Sequence, residues 1–355
     1  MPARQKPTRK VMPMWSRIAG TLLLVAASLN AADAESLPYA GVWSGSIGKQ
    51  KVQVCFSSTE DSQYYYLKHL RGIRLRAEAS AEGKAAGAPS DWREGYFGPG
   101  SENKPSGNWK LVQSDPDTMT GEWQAPGAQG GQPIRLERIA GLEDEACGAA
   151  FYAPIKAAAT QLTRGWQVFS LPGKYRGAAK FNAFVADWRR QSAVEDYECR
   201  MDFSNPMERE LSPVLLTNNL LVVSEILFDV YCGGAHNSAH SQLLYFDPQT
   251  GEPLDTWAWI KGGNTAVEGR GEPKRLRKLI EGLADMDKEC RQAPPDIGAP
   301  YPGKTGFNFP VNFIWALRSC NTEVQVPYDK LKPYLSSAGR SVAARFSSTS
   351  RTRHP

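Results

Sequence analysis

Between Tyr39 and Ile139 the chain alternates apolar and polar residues in short runs broken by glycine, proline and polar turns. Eight such runs, 42–44, 51–56, 64–67, 73–77, 92–97, 108–112, 119–123 and 134–136, read as β-strands, because successive side chains on a strand point to opposite faces. Ile73-Arg74-Leu75-Arg76-Ala77 shows this directly, with one face for a core and one for water. Strands at this spacing predict an antiparallel all-β unit over 36–141, a small barrel or sandwich in which closing or stacking the sheet protects its edges.

The period then changes. Phe181, Phe184, Val185 and Trp188 recur at i, i+3, i+4 and i+7, and Leu276, Leu279, Ile280 and Leu283 repeat that spacing after Pro273, so each set marks one buried helix face. Residues 220–231 and 242–246 read as strands, Asp247-Pro248-Gln249-Thr250-Gly251 as a turn, and 313–317 and 323–326 as closing strands. Residues 173–336 therefore predict an α+β domain, making the whole chain multidomain, all-β plus α+β. The stretch 142–172, with its Glu143-Asp144-Glu145 patch and alanine-rich run, reads as a linker and the entry to this second domain. Residues 337–355 are Ser/Arg-rich with few apolar groups and predict a disordered tail.

The 355 residues, 41% hydrophobic and 22% charged, hold material for about two domains. This excludes a mini-protein, a long disordered chain and a polytopic membrane protein. The net charge of +5 is concentrated at the termini. Leaving out residues 1–34, with Arg4, Lys6, Arg9, Lys10 and Arg17 against Asp33, reduces 42 cations and 37 anions to 37 and 36. Setting aside Arg340, Arg345, Arg351 and Arg353 as well leaves 33 against 36, or −3, so no nucleic-acid partner is expected. The N-terminal cations precede an apolar run, 18–29, and Ala32-Asp33-Ala34, the pattern of a secretory signal peptide occupying 1–34. That run is shorter than the roughly 20 residues of a membrane span. A periplasmic or secreted protein without a transmembrane anchor after cleavage is expected.

Cys55, Cys147, Cys199, Cys232, Cys290 and Cys320 all follow the signal, an even count that predicts disulfides in an oxidising compartment. Six cysteines allow 15 pairings. Proximity along the chain favours Cys55 with Cys147, Cys199 with Cys232, and Cys290 with Cys320. A metal centre is not expected, since no C-x-x-C pair exists.

Tyr231-Cys232-Gly233-Gly234-Ala235-His236, with Leu244-Tyr245-Phe246-Asp247 and Thr250-Gly251 following, resembles the GGAH … FD..TG signature of the DUF3298 domain of exported bacterial proteins. The segment from Val326-Pro327-Tyr328-Asp329 to Leu335 resembles that domain's closing segment, and the match spans roughly 175–336. Gly45-Ser46-Ile47-Gly48-Lys49 and Gly121-Glu122-Trp123 are similar to small β domains of exported bacterial envelope proteins. Such DUF3298 domains occur beside peptidoglycan deacetylase modules and in the outer part of an anti-sigma factor that binds lysozyme. The resemblance therefore implies at most a recognition role in the cell envelope. Cys232 and Cys320 depart from the usual pattern. Gly233, Gly234, His236, Tyr245 and Asp247 are the candidate ligand-binding residues.

Other constellations are weaker. His236 and His240 form H-x-x-x-H, but no third ligand or intervening glutamate accompanies them. Gly298 to Thr305 satisfies the phosphate-loop pattern G-x-x-x-x-G-K-[ST], yet it follows Pro294-Pro295 and runs into Gly306-Phe307-Asn308-Phe309-Pro310, not into a helix. Cys232, four residues before His236, has the spacing of a thiol and its base, but a disulfide explains it without a reduced state. Asp285, Asp287 and Glu289 read as a solvated face. Tyr64-Tyr65-Tyr66 with Lys68 and His69, and Trp257 with Trp259, sit in strand-like sequence; neighbouring tyrosines on a strand face opposite ways, so one is a candidate exposed aromatic against a default of core packing.

No cofactor and no catalytic residue is assigned. The expectation is a non-catalytic envelope protein that binds a peptidoglycan fragment or another cell-wall glycan, or a protein such as lysozyme. The alternatives are a hydrolase of envelope polymers, with His236 as base and Asp247 as its orienter, and a lysozyme inhibitor working through a loop of the β domain.

Overall fold

The computed structural model describes residues 37, 39–78, 89–95, 105–144, 146–202, 207–229, 238–263 and 272–348. The eight expected strands are present: β1 (Gly41–Ile47), β2 (Gln50–Phe56), β3 (Ser62–Tyr66), β4 (Gly72–Ala77), β5 (Ser90–Gly95), β6 (Gly107–Asp115), β7 (Thr118–Gln124) and β8 (Gln132–Ala140). Each pairs antiparallel with the next, and β8 returns to β1 from Val42↔Ala140 to Ile47↔Ile134, closing a barrel. The alternation read from sequence fills it: Trp43, Val54, Tyr64, Leu75, Trp92, Trp109, Leu111 and Leu136 are buried inside, while Lys110, Arg135 and Glu137 face water. An eight-stranded barrel has an interior that side chains can fill, and here aromatic side chains supply much of that volume. One carboxylate sits among them. Glu94, buried, accepts from the Tyr64 hydroxyl (2.5 Å), the Trp109 indole N–H (3.0 Å) and the Ser106 hydroxyl (3.1 Å).

Residues 142–172, expected as a linker, contain α1 (Gly148–Ala157) and α2 (Ala159–Leu162). Alanine is the strongest helix former, and the apolar residues Phe151 and Ile155 give α1 one buried edge. Next comes α3 (Ala178–Asp202), 25 residues or about 37 Å long. Its first half, through Phe181, Val185 and Trp188, packs on an antiparallel sheet of β9 (Glu208–Leu216), β10 (Leu221–Asp229) and β11 (Ser238–Phe246), ordered β11-β10-β9. Its second half, through Ala193, Val194 and Tyr197, joins α1 over the outward side chains Val42, Cys55 and Tyr65 of the barrel. The Cys55–Cys147 disulfide fastens the same contact, as do bonds from the Tyr65 hydroxyl to the Phe151 carbonyl (2.5 Å) and from Gln53 Nε2 to the Ala150 carbonyl (2.8 Å).

The remainder forms a third cluster: α4 (Lys274–Leu283), then β12 (Asp296–Ile297), β13 (Tyr301–Pro302), β14 (Gly306–Asn312) and β15 (Thr322–Pro327), then α5 (Tyr328–Leu331) and α6 (Ser337–Ser348). Both β12 and β13 pair with one side of β14, and β15 pairs with the other. The Cys290–Cys320 disulfide lies within this cluster.

Three expectations are corrected here. The strand expected over 313–317 is instead a 3-10 turn, Trp315–Cys320, where Asn321 Oδ1 takes the Phe313 N–H (2.8 Å) that a strand partner would have held. Trp257 and Trp259 also sit on a 3-10 turn, Thr256–Trp259, which Asp255 caps by accepting from the Trp257 N–H (2.9 Å). The expected disordered tail is helical as far as Ser348; Ser336 Oγ accepts from the Gly339 N–H (3.1 Å), and Val342 and Ala343 are buried. The pairing of Cys199 with Cys232 lies outside the described residues, as do the signal segment 1–34 and the end of the tail.

Replacing Cys55 and Cys147 together by alanine removes a link across 92 residues between barrel and helix. The expected loss of stability is about 2–5 kcal/mol, read as a lower urea midpoint for the double variant than for the oxidised protein.

Candidate functional site

Of the sequence-predicted ligand-binding residues, the structure describes Tyr245 and Asp247. Gly233, Gly234, His236 and Cys232 lie outside the described residues, and so does the side chain of His240. Asp247 belongs to a local turn: its Oδ1 accepts from the Gln249 N–H (2.7 Å), and its carbonyl accepts from the Gly251 N–H (2.6 Å). Gly251 has φ +73 and touches Gly177, where a Cβ would stand 2.5 Å from the Gly177 carbonyl oxygen. This explains the Thr250-Gly251 part of the signature as packing. Asp247 also follows one end of β11, whereas Ser238, two residues after His236, begins the other. At about 3.3 Å per residue these two ends of the strand are some 30 Å apart. Tyr245 is buried and donates its hydroxyl to the Ala299 carbonyl; burial raises its pKa well above the ordinary phenol value, with Tyr301 and Glu323 adding to the shift.

The remaining candidates fall on different elements. Gly303 N–H donates to the Gly306 carbonyl (2.7 Å) in the link from β13 to β14, so the phosphate-loop pattern opens a strand. Asp285, Asp287 and Glu289 are exposed, and no cluster of metal-ligating side chains occurs among the described residues. Of the three tyrosines, Tyr64 points into the barrel and Tyr65 out of it beneath α1 and α3, while Tyr66 is half-buried. None is an exposed aromatic.

A concave site does form beside them, where the β3–β4 corner meets α2 and α3. This cleft of about 390 Å³ is lined by His69, Arg71, Gly72, Asp196, Tyr197 and Arg200, among others. The corner is tight: the N–H groups of His69 and Leu70 both donate to the Tyr66 carbonyl (2.9 Å each). Leu70 has φ +50, a left-handed conformation that costs a non-glycine residue about 1–2 kcal/mol. That turn packs Leu70 against the barrel–helix core while His69 and Arg71 are exposed at the rim. Gly72 sets the depth, since a Cβ there would stand 2.2 Å from the Met201 sulfur and 2.9 Å from the Tyr197 hydroxyl.

Opposite the corner, Asp196 is buried and already committed. One oxygen accepts from Arg200 Nε and the other from the Met207 N–H, both at 2.8 Å. Loss of water raises its pKa, and Arg200 and the Met207 N–H oppose that rise. Arg200 spends one of its five N–H donors on this bond and is half-exposed. His69 and Arg71 make no side-chain hydrogen bond or ion pair among the described residues. The cleft therefore presents two guanidinium groups and an imidazole around a neutralised carboxylate, an arrangement suited to an anion. Arg71, Gly72, Asp196 and Arg200 could not be picked out in the sequence, because α3 follows the corner by more than a hundred positions and no local pattern links them.

Among solved structures the chain is similar to two crystal structures of bacterial proteins. One, from Bacteroides fragilis, is 17% identical with a TM-score of 0.31, covering 60% of this chain and 86% of that one. The other, from Pseudomonas aeruginosa, is 16% identical with a TM-score of 0.28, covering 63% of this chain and 96% of that one. Both are DUF3298 family proteins. No protein-family model and no curated protein matches the chain.

The raised pKa of Asp196 makes a signed prediction. A carboxyl whose folded pKa exceeds its unfolded value stabilises most below the unfolded value, near 3.8, and loses that contribution as pH rises through the folded value. The melting temperature of the wild type minus that of Asp196→Asn is expected to fall as pH is raised from below 3.8 towards neutrality. A difference that grows with pH would contradict the burial account.

Proposed function

We propose that the protein is an exported, non-catalytic cell-envelope module that binds a carboxylate-bearing fragment of cell-wall glycan in the cleft between the β3–β4 corner and α3. The observation that carries this reading is the meeting of basic side chains on a concave surface: Arg71, without an ion pair among the described residues, and His69 at the rim, and Arg200 held by Asp196 with further N–H donors to spare. A cleft of about 390 Å³ suits a sugar-sized ligand better than a protein, whose interface needs about 800 Å² on each partner. With both oxygens of Asp196 hydrogen-bonded, it supports anchoring more than acid–base chemistry. The disulfides Cys55–Cys147 and Cys290–Cys320 are consistent with an extracellular or periplasmic location, and no helix among the described residues is long and apolar enough to cross a membrane.

The test is calorimetric titration with a muramic-acid-containing disaccharide peptide. Binding is expected to weaken with added salt, and Arg71→Ala to lower affinity about tenfold, the size of one charge-assisted hydrogen bond. Absence of binding at millimolar ligand, or an Arg71→Ala protein that binds unchanged, would overturn the assignment.

A further inference from the structure

The stripe of α3 that lines the first cleft continues towards the helix N-terminus. Asn182, Ala186, Arg189, Ala193, Asp196 and Arg200 follow one another at intervals of three or four, so they share one face. The upper part of that face lines a second cleft of about 420 Å³, closed on its other side by the junction of α1 and α2. Its polar lining is Lys156, Thr160, Ser170, Asn182, Arg189 and Arg190, with no carboxylate among the lining residues. Asn182 is occupied, its side chain bonding both the N–H and the carbonyl of Leu171, and Arg190 is paired with Asp187. Lys156 and Arg189 make no ion pair among the described residues, although both are half-buried. Two half-buried cations lining one cleft repel each other, and an anion bound between them relieves that repulsion.

We infer that this second cleft is an anion site that takes a further carboxylate or phosphate of a linear polymer, with Lys156 and Arg189 as the charged contacts and the Thr160 and Ser170 hydroxyls as neutral donors. Arg189 and Arg200 are eleven residues apart on one helix, or about 16 Å. A chain lying along the α2–α3 seam meets both clefts in turn, and its second contact forms at a high effective concentration. The inference rests on the proposed function for the identity of the polymer, and on the geometry of Lys156 and Arg189 for the site.

The test compares three probes on the full chain: the muramic-acid disaccharide peptide, an eight-sugar glycan strand carrying one carboxylate per disaccharide, and a glycerol-phosphate oligomer of similar length. The eight-sugar strand is expected to bind at least tenfold more tightly than the disaccharide. Lys156→Ala with Arg189→Ala is expected to abolish that gain while leaving disaccharide affinity within twofold. If the gain survives in the double variant, the inference fails. The Nε–H resonance of Arg189, followed by NMR in an Arg71→Ala background, separates this site from the first. A saturating shift with either polymer supports the second cleft even if the disaccharide does not bind, which would count only against the first. A response to the glycerol-phosphate oligomer alone assigns phosphate chemistry, and a response to the glycan alone assigns carboxylate. Silence at Arg189 towards all three probes overturns the inference.

Discussion

A closed barrel normally turns polar residues to solvent, and the departure from that rule on β1 to β3 organises the rest of this molecule. Val42, Cys55 and Tyr65 face outward and are nonetheless buried, because α1 and the second half of α3 cover them. Full burial of a side chain such as Phe151 is worth about 2–3 kcal/mol, so the cover is a hydrophobic contact in its own right and not a loose apposition. Since the first half of α3 packs with equal commitment on β9 to β11, one helix carries two apolar contacts in series. Both clefts described above lie along that helix, where its packed stripe meets the short α2.

Polar groups reinforce the same arrangement. Arg209 of β9 is paired with Glu195 of α3 and lies 3.6 Å from Glu225 of β10, whose carboxylate also accepts from the Trp188 indole at 2.6 Å. This joins the helix to its sheet through paired charges, the condition under which buried ions are tolerated, although the buried Arg209 Nε has no hydrogen-bond partner among the described residues. Glu94 is held inside the barrel without any cation, through three neutral donors. The clefts differ in that some of their cations have no such partner, and that difference is the basis for assigning them to a ligand.

How much could be read in advance follows from the range of the signals. All eight barrel strands were legible because a half-buried strand writes a period of two into a few residues; Ile134, Arg135, Leu136 and Glu137 alternate in and out as the sequence implies. The helices through Phe181 and Leu276 were legible through their period of 3.6. The segments α1, α2 and α6 were not, since alanine and serine carry little contrast between faces, and Val342 and Ala343 form too narrow a stripe to stand out. The site was the least legible part. Asp247 and Tyr245 are prominent in the signature yet serve a turn and a sheet contact, whereas Arg71 and Arg200 become neighbours only through the packing of α3 against Gly72.

The pairing of β8 with β1 carries a consequence for how the molecule comes into being. Until Ile134 to Ala140 exist, the open hydrogen-bonding edge of β1 has no partner, and roughly ninety residues must be made before one arrives. A chain whose β1 to β7 pair before β8 joins them would be a curved ribbon with a naked border, the kind of surface on which two copies can zip together. Shielding during synthesis, or rapid delivery of the last strand, is therefore as much a requirement of this architecture as the aromatic residues that fill it.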